Sequence, residues 1–241
     1  MNRTQKWKAW SVHLYTATGL IFAAGIGIHI VNGTTDSFYW AFAFMGIATF
    51  IDATDGYLAR RFDVKRWVPE FDGRRLDDLT DFLNYTFLPL LLIWRANLAG
   101  DYAPWLLFPL IASAYGFCQV SAKTDDGFFL GFPSYWNLAA FYLFLLKPSP
   151  ETTVICLIAL AFLTFVPFRY LYSTQPGKLN RYTNYLAGIW GVQVAQLMIL
   201  GLQGENGPKL QQLTYYSLAF PTYYMITSWL ITWRLSRRAA L

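Results

Sequence analysis

Acidic side chains concentrate in one stretch of the sequence, from Asp52 to Asp81. This stretch holds 8 of the 14 Asp and Glu residues, although apolar runs precede it at Phe38 to Ile51 and follow it at Phe82 to Trp94. Four of its carboxylates therefore fall on the ends of apolar helices: Asp52, Asp55, Asp77 and Asp81. Because ionised groups beside hydrocarbon are costly, they predict a functional site in or at a membrane.

The spacing of these carboxylates places them in two pairs. On a helix, Asp52 and Asp55 share one face, and Asp77 and Asp81 share another, whereas Asp78 points about a quarter turn away. Two such pairs facing each other across a helical hairpin would form a cage of oxygen ligands, which suits Mg²⁺ or Mn²⁺. A cage of more than two carboxylates could hold two ions and bind a phosphoryl group between them.

Small and basic residues separate the two pairs. Gly56 and Ala59 allow a bulky ligand to approach the helix backbone, and the neighbouring Arg60 offers a planar guanidinium that suits phosphate oxygens. The pattern predicts a phosphate-containing substrate beside the metal cage.

Together these residues carry a resemblance to a known family. The sequence reads D-x-x-D-G-x-x-A-R from Asp52 to Arg60 and G-x-x-x-D-x-x-x-D from Gly73 to Asp81. Both runs resemble the signature of the CDP-alcohol phosphatidyltransferases, and all eight defining positions match. One difference is that 12 residues separate Arg60 from Gly73, more than is usual in that family. We interpret them as a longer cytoplasmic turn that leaves the carboxylates in place.

The resemblance implies an activity, a cofactor and roles for the signature residues. It implies transfer of a phosphatidyl group from CDP-diacylglycerol to an alcohol, with release of CMP and a requirement for Mn²⁺ or Mg²⁺, as two ions. The four signature aspartates would bind the metal, and Asp81 would also be the catalytic base. It further implies a homodimer in a bacterial inner membrane. CDP-diacylglycerol would be bound by Asp55, Gly56, Ala59, Arg60 and Gly73.

A second pattern narrows the resemblance. The run F-x-G-x-P-S from Phe129 to Ser134, the chain length and the long turn before Gly73 resemble bacterial phosphatidylcholine synthases, which implies choline as the acceptor. On physical grounds alone, this run either folds back over the site or forms an ordinary turn before a helix.

Choline would need aromatic faces or carboxylates, because its quaternary ammonium has no hydrogen to donate. Tyr85 follows Asp81 by one helical turn and is the first candidate for a choline contact. Tyr135 and Trp136 are further candidates. Most of the other aromatic residues are expected to face lipid or to lie at the membrane interface.

Two kinds of alternative remain open. The acceptor could be serine, inositol or glycerol phosphate, although a phosphorylated acceptor would need basic side chains within the membrane half of the site. The chain could also be a cation transporter. Its carboxylates would then be expected near the middle of the bilayer, within repeated halves, and the sequence shows no internal repeat.

The composition predicts the architecture that must position these residues. With 55% hydrophobic and 19% aromatic residues, the chain is predicted to be an all-α polytopic membrane bundle, a single catalytic domain over residues 1–241. A basic amphipathic entry segment, Met1 to Trp10, precedes about eight spans. The spans are predicted at 11–31, 38–60, 77–96, 103–121, 135–146, 152–172, 182–202 and 213–233.

The basic residues predict the orientation of these spans. With the N-terminus inside, 16 of the 19 Lys and Arg residues fall on the cytoplasmic side, as the positive-inside rule requires. Both termini and the acidic cluster are then cytoplasmic. Orientation also explains the net charge of +5 better than nucleic-acid binding does.

Overall fold

The computed structural model describes residues 3–120, 124, 128–171 and 178–239, and these form a mostly helical bundle. A π-helical segment (Phe82–Phe87) and a 3₁₀ helix (Gly100–Leu106) interrupt the α-helices. The α-helices are α1 (Arg3–Asn32), α2 (Thr35–Arg61), α3 (Val64–Trp67), α4 (Gly73–Asp81), α5 (Leu88–Arg95), α6 (Leu107–Cys118), α7 (Trp136–Leu146), α8 (Pro150–Phe165), α9 (Lys178–Leu202), α10 (Pro208–Ser217) and α11 (Ala219–Ala239).

Helices α1 and α2 form an antiparallel hairpin that carries half of the acidic cluster. The turn between them ends at Thr34, whose side chain accepts a hydrogen bond from the backbone N–H of Ser37 at the start of α2 and so caps that helix. Ile26 and Ile30 of α1 are buried in the same apolar core as Phe42 of α2. This packing holds the hairpin along its length.

The third predicted span is a composite of α4, the π-helical segment and α5. Asp72 caps α4, because its side chain accepts hydrogen bonds from the backbone N–H groups of Arg74 and Arg75. The wider π-helical turns come just before Pro89, which has no N–H to donate and would crowd the carbonyl of Tyr85 in a regular α-helix. The segment therefore stays helical, but the wider turns change which side chains share a helix face just after Asp81.

The predicted limits of the sixth span are wrong at its C-terminal end. Helix α8 ends at Phe165 rather than at Tyr172, which lies outside the described residues. The residue before a proline avoids the helical region, and Val166, which precedes Pro167, has an extended backbone.

A small two-stranded sheet was not predicted from the sequence. Strand β1 (Phe128–Leu130) pairs antiparallel with β2 (Arg169–Leu171), and Gly131 follows β1 with a φ of +82° against the backbone of Thr164. Helix α11 packs against β2, where the hydroxyl of Thr232 accepts a hydrogen bond from the backbone of Arg169. The run from Phe129 to Ser134 therefore forms most of β1 and the turn after it. Through β2, this strand connects the segment before α7 to α11.

The last predicted span is broken into α10 and α11. The break lies at Leu218, three residues before Pro221, which cannot donate to the carbonyl of Ser217 as a continuous helix would require. Ser217 is instead fully buried, and its hydroxyl lies 3.0 Å from the hydroxyl of Tyr142 in α7.

The predicted apolar segments correspond to helical regions, but the breaks shorten several of them. Within the described part of the chain, two single helices are long and apolar enough to cross a bilayer, Arg3–Asn32 and Leu179–Leu202. Helices α7 and α8 are apolar but shorter. The structure thus shows a mostly helical protein with two long apolar helices.

The long turn before Gly73 is folded against the first helix. It contains α3, and Val64 and Val68 pack there against Ala9 and Val12 of α1. We refer to these four residues as the α1–α3 cluster. At its edge the Lys6 ammonium donates to a Glu70 carboxylate oxygen at 2.6 Å. The additional residues in this turn therefore fix the N-terminal end of α1.

The ion pair between Lys6 and Glu70 predicts a pH dependence. The hydrogen bond from Lys6 lowers the pKa of the Glu70 carboxyl from its ordinary value of 4.5, so the stabilisation is present above that pH and is lost as the pH falls through the lowered pKa. We expect Glu70→Gln to lower the melting temperature slightly at pH 6–8, with the difference vanishing in acid. In a Lys6→Gln background, Glu70→Gln should have a much smaller effect, because the largest cause of the lowered pKa is then absent. A pH-independent difference would contradict this origin.

Candidate active site

The acidic residues line one narrow cleft between three helical elements. Its walls come from α1, α2 and the α4–π-helix junction, through Thr16, Gly19, Ala48, Ile51, Asp52, Asp55, Asp77, Thr80, Asp81, Asn84 and Tyr85. The structure thus brings all four predicted metal ligands to the same cleft, although two of them come from α2 and two from α4.

Three of the carboxylates fit a divalent ion. Asp52, Asp55 and Asp77 each offer one oxygen, and these oxygens lie within 4.8 Å of one another. Metal–oxygen distances of about 2.0–2.6 Å require ligand oxygens no farther apart than roughly twice that length. Three carboxylates from two helices therefore form a donor set that suits Mg²⁺ or Mn²⁺.

The fourth carboxylate has a different position. Asp81 lines the cleft but is not part of the group of three. Asp78, which the spacing places about a quarter turn from the pair, is not among the lining residues. Asp81 therefore shares the cleft with the three grouped carboxylates without belonging to their group.

Helix α1 supplies a hydrogen bond that the acidic motif needs. The hydroxyl of Thr16 donates to Oδ2 of Asp55 at 2.8 Å, and both side chains are buried. A buried carboxylate depends on such donors, because it has lost its contact with water. The bond fixes the orientation of Asp55 within the cluster.

Tyr85 supplies a corresponding hydrogen bond to Asp52 from the π-helical segment. Its hydroxyl donates to Oδ2 of Asp52 at 2.7 Å, and the side chain is buried. Asp81 and Tyr85 both line the cleft, as their spacing predicts, even though π-helical turns separate them. Each carboxylate of the α2 pair is therefore held by a hydroxyl from another helix.

Close packing between α1 and α4 makes the cleft narrow. Gly19 faces Thr80, and a Cβ atom at Gly19 would collide with the Thr80 methyl group. Near the same contact, the Asn84 amide donates to the carbonyl oxygens of Gly19 and Thr80 at 3.3 and 3.0 Å. The glycine lets α4 approach α1, which brings Asp77 close to the α2 pair.

The remaining signature residues extend along α2 and the turn, outside the set that lines the cleft. The surface at Gly56 is open, since an added Cβ would meet only the Arg60 guanidinium at 3.5 Å. Arg60 itself is exposed. Ala59 packs against the α1–α3 cluster, and Gly73 lies against the ring of His13. These contacts give Ala59 and Gly73 packing reasons to be small.

The structure separates the three proposed choline contacts. Tyr85 lines the cleft, whereas Tyr135 and Trp136 are not among its lining residues. Trp136 is fully buried, and its indole N–H donates to the hydroxyl of Ser113. Its ring is therefore part of the core and does not support the prediction of a choline contact. Tyr135 lies 6.2 Å from the ring of Tyr224.

The acidic motif alone did not predict that residues of α1 line the cleft. Thr16 and Gly19 lie on one face of α1, at a spacing of three residues, and His13 continues that face toward the N-terminus. This three-residue spacing was the sign in the sequence that α1 could line the cleft, but a long apolar helix contains many pairs of small or polar residues with the same spacing. The pairing of α1 with α2 was needed to select this one.

Comparison with known proteins agrees with the site geometry. The sequence model of the CDP-alcohol phosphatidyltransferase family matches residues 13–193. The chain belongs to this family. As a CDP-alcohol phosphatidyltransferase, it has its aspartates where a divalent ion can assist phosphoryl transfer, and its matched region includes both Thr16 and the whole acidic cleft.

Several relatives of this CDP-alcohol phosphatidyltransferase share most of its length. It is 40% identical to a phosphatidylcholine synthase of Bradyrhizobium diazoefficiens, over 83% of this chain and 74% of the relative. It is 40% identical to one from Legionella pneumophila, over 74% and 69%. A phosphatidylcholine synthase of Pseudomonas aeruginosa is 34% identical over 83% of each chain. The similarity thus extends far beyond the acidic signature.

The hydrogen bond between Thr16 and Asp55 predicts an effect on metal binding. Thr16→Val keeps the side-chain volume but removes the donor, so Asp55 loses its orientation. Because outer partners of metal ligands typically contribute 10- to 100-fold in affinity, we expect Mn²⁺ to bind about tenfold more weakly, as measured by electron paramagnetic resonance of free Mn²⁺. Thr16→Ser should bind like wild type. Thr18→Val, on the same helix with its hydroxyl bonded to the Tyr15 carbonyl, is the matched control, and an equal loss there would contradict the assignment.

Proposed function

We propose that this protein transfers the phosphatidyl group of CDP-diacylglycerol to choline, giving phosphatidylcholine and CMP. The observation that carries the proposal is the acidic cleft itself. Its four aspartates belong to the two runs that resemble the family signature, within a chain similar over most of its length to phosphatidylcholine synthases. Similarity of this extent includes the helices around the site as well as the signature.

The charge of the cleft supports choline over phosphorylated acceptors. Its lining includes four aspartates and, among the described residues, no Lys or Arg. Such a cleft attracts a cation and would repel the phosphate of glycerol phosphate. The same charges disfavour the carboxylate of serine. Serine is nevertheless the next candidate, because a bound metal ion could offset that repulsion.

Asp81 is assigned the role of general base. It would accept the proton of the choline hydroxyl as the hydroxyl oxygen attacks the β-phosphorus of CDP-diacylglycerol. A new P–O bond to choline forms, the P–O bond to CMP breaks, and CMP leaves with the bridging oxygen. The base needs one oxygen within hydrogen-bond reach of the hydroxyl, which its position beside the other three carboxylates allows.

The other carboxylates are assigned to metal binding. Asp52, Asp55 and Asp77 would hold Mn²⁺ or Mg²⁺, with Asp81 as a further ligand if two ions are bound. The ions would neutralise the diphosphate and make CMP a better leaving group. Gly56, on its open stretch of α2, and the exposed guanidinium of Arg60 would then bind the CDP group together with the residues of the turn.

Tyr85 is assigned to the acceptor site. Its ring forms part of the cleft wall, and its hydroxyl is bonded to Asp52. An aromatic face next to ionised carboxylates suits a quaternary ammonium, which interacts with both by charge. Tyr85 would therefore act on choline through its ring and on Asp52 through its hydroxyl.

The membrane arrangement completes the proposal. We assign eight membrane-crossing regions within a single domain, some made of broken helices, with the acidic cleft and both termini on the cytoplasmic side of a bacterial inner membrane. The positive-inside bias of the sequence supports this orientation. The cleft would then face soluble choline and released CMP. A homodimer remains a prediction from the family resemblance.

A transfer assay in detergent tests the function directly. Purified protein would receive CDP-diacylglycerol with choline, serine, inositol or glycerol phosphate in separate reactions, each with Mn²⁺, with Mg²⁺ and with EDTA. We expect a metal-dependent lipid product with choline alone. Product with another acceptor would reject choline but keep the chemistry, and no product with any acceptor would reject the proposed activity.

The role of Asp81 predicts a separation of catalysis from binding. Asp81→Asn removes the base but keeps the size of the side chain, so we expect turnover to fall at least a thousandfold while CMP affinity changes less than about threefold. Asp78→Asn is the matched control, since Asp78 lies on the same helix three residues before Asp81 but is not among the residues that line the cleft, and it should retain turnover. Loss of Mn²⁺ and CMP binding together in Asp81→Asn would instead make Asp81 chiefly a ligand.

The two roles of Tyr85 predict different effects for two substitutions. Tyr85→Leu removes the ring, and we expect the KM for choline to rise about tenfold, the usual size of a partly desolvated cation–π contact. Tyr85→Phe keeps the ring and should keep the KM for choline, but it should weaken Mn²⁺ binding through Asp52. The KM for CDP-diacylglycerol is the internal reference. Equal KM values for choline in both variants would remove Tyr85 from the acceptor site.

A further inference from the structure

His13 is a buried polar side chain whose hydrogen bonding is incomplete. It is 6% exposed, and its Nε2 atom has no hydrogen-bond partner among the described residues. A buried ring nitrogen without a partner is costly, so its presence in a native protein calls for an explanation, such as a bound ligand or water. The metal cluster and the base of the proposed reaction do not use it.

The position of His13 relates it to the active site. It precedes Thr16 by one turn of α1, and Thr16 is bonded to Asp55. Its ring lies against Gly73, where a Cβ atom would come within 2.5 Å of its Cε1 atom. Gly73 in turn precedes Asp77 by one turn of α4. His13 therefore lies one helical turn from the carboxylates on both helices, toward the N-terminal end of α1.

Aromatic rings surround the imidazole at this level. The ring of Phe71 lies 4.5 Å from it and the ring of Trp10 lies 5.6 Å away, measured between centroids. Phe71 is 36% exposed, so part of its surface remains accessible. A polar nitrogen beside accessible aromatic surface suits a nucleotide, whose base stacks on rings and whose polar groups accept or donate hydrogen bonds.

Provided the proposed function holds, the shape of the substrate explains which part of it would reach His13. CDP-diacylglycerol has acyl chains that stay in the bilayer, a diphosphate that belongs at the carboxylates, and a nucleoside beyond it. With the N-terminal end of α1 on the cytoplasmic side, the nucleoside would extend one turn past the carboxylates in that direction. His13 and Gly73 lie at this level.

We propose that His13 binds the nucleotide portion of the liponucleotide through Nε2, and that Phe71 provides the adjoining aromatic surface. The glycine at position 73 then serves two purposes: it leaves room for the imidazole, and it lets α4 start close to α1. His13 is a binding residue in this assignment and takes no part in proton transfer.

Substitution of His13 tests the proposal with CMP as the soluble probe. Calorimetry in detergent with Mn²⁺ would measure CMP affinity, and melting without CMP would verify folding. His13→Phe keeps a buried ring but removes the nitrogen, so we expect CMP to bind about tenfold more weakly. His13→Gln, whose amide can replace Nε2, should stay within about threefold of wild type. His29→Phe is the matched control on the same helix, and its buried nitrogen lies far from the cleft.

The outcomes separate this proposal from simple packing. If His13→Phe binds CMP like wild type, or if His29→Phe loses as much affinity, the assignment is overturned. Parallel titrations with cytidine, UMP and inorganic phosphate locate the contact. A loss for CMP and cytidine but not for phosphate places it at the nucleoside, as proposed, and a loss for phosphate alone overturns that placement.

A spectroscopic measurement avoids substitution of His13 altogether. The chain has two histidines, so His29→Gln protein labelled with ¹⁵N-histidine reports on His13 alone. CMP should shift the Nε2 resonance with the same saturation as the calorimetric titration. Saturating CMP binding without any shift would overturn the proposal. Neither measurement depends on the acceptor, so a protein that binds CMP through His13 but fails to transfer to choline would reject the proposed function and keep this inference.

Discussion

The mutual repulsion of four carboxylates in one narrow cleft is the constraint on which this structure depends. Like charges a few ångströms apart in surroundings of low polarity raise the free energy of the folded protein. The fold offsets part of this cost with buried hydroxyl donors, Thr16 on Asp55 and Tyr85 on Asp52. The rest of the repulsion is what divalent ions and a cationic acceptor would relieve. The site is therefore preorganised to bind positive charge.

The two hydroxyl donors lie on different helical elements from the carboxylates that they bind. The site therefore forms only when α1, α2 and the π-helical segment pack together. Helix α2 carries the first pair, α4 the second, and α1 is the wall that joins them. The α1–α4 contact depends on the small side chain of Gly19 and on the amide of Asn84, which bonds backbone oxygens on both sides of the contact. A larger residue at position 19 would push Asp77 away from the cluster, so packing and chemistry are coupled at this contact.

The long turn before Gly73 has a structural role that complements the site. By packing Val64 and Val68 against the start of α1, it holds the N-terminal end of that helix beside the signature helices. The turn also carries Phe71 to the ring of His13. The long turn thus supports the start of α1 and places an aromatic ring against His13.

The sequence by itself determined the acidic cage, the family and most helices. These follow from local rules: i,i+3 and i,i+4 spacing sets which carboxylates share a face, and apolar length sets where helices form. Only the tertiary structure decided that Thr16 belongs to the site, that Trp136 is a core residue, and that strands β1 and β2 pair. Contacts between residues distant in sequence depend on how the helices pack against one another, and local periodicity in a single sequence does not specify that packing. Pro89, Pro167 and Pro221 are visible in the sequence, but whether each one shifts, ends or breaks its helix depends on the neighbouring elements.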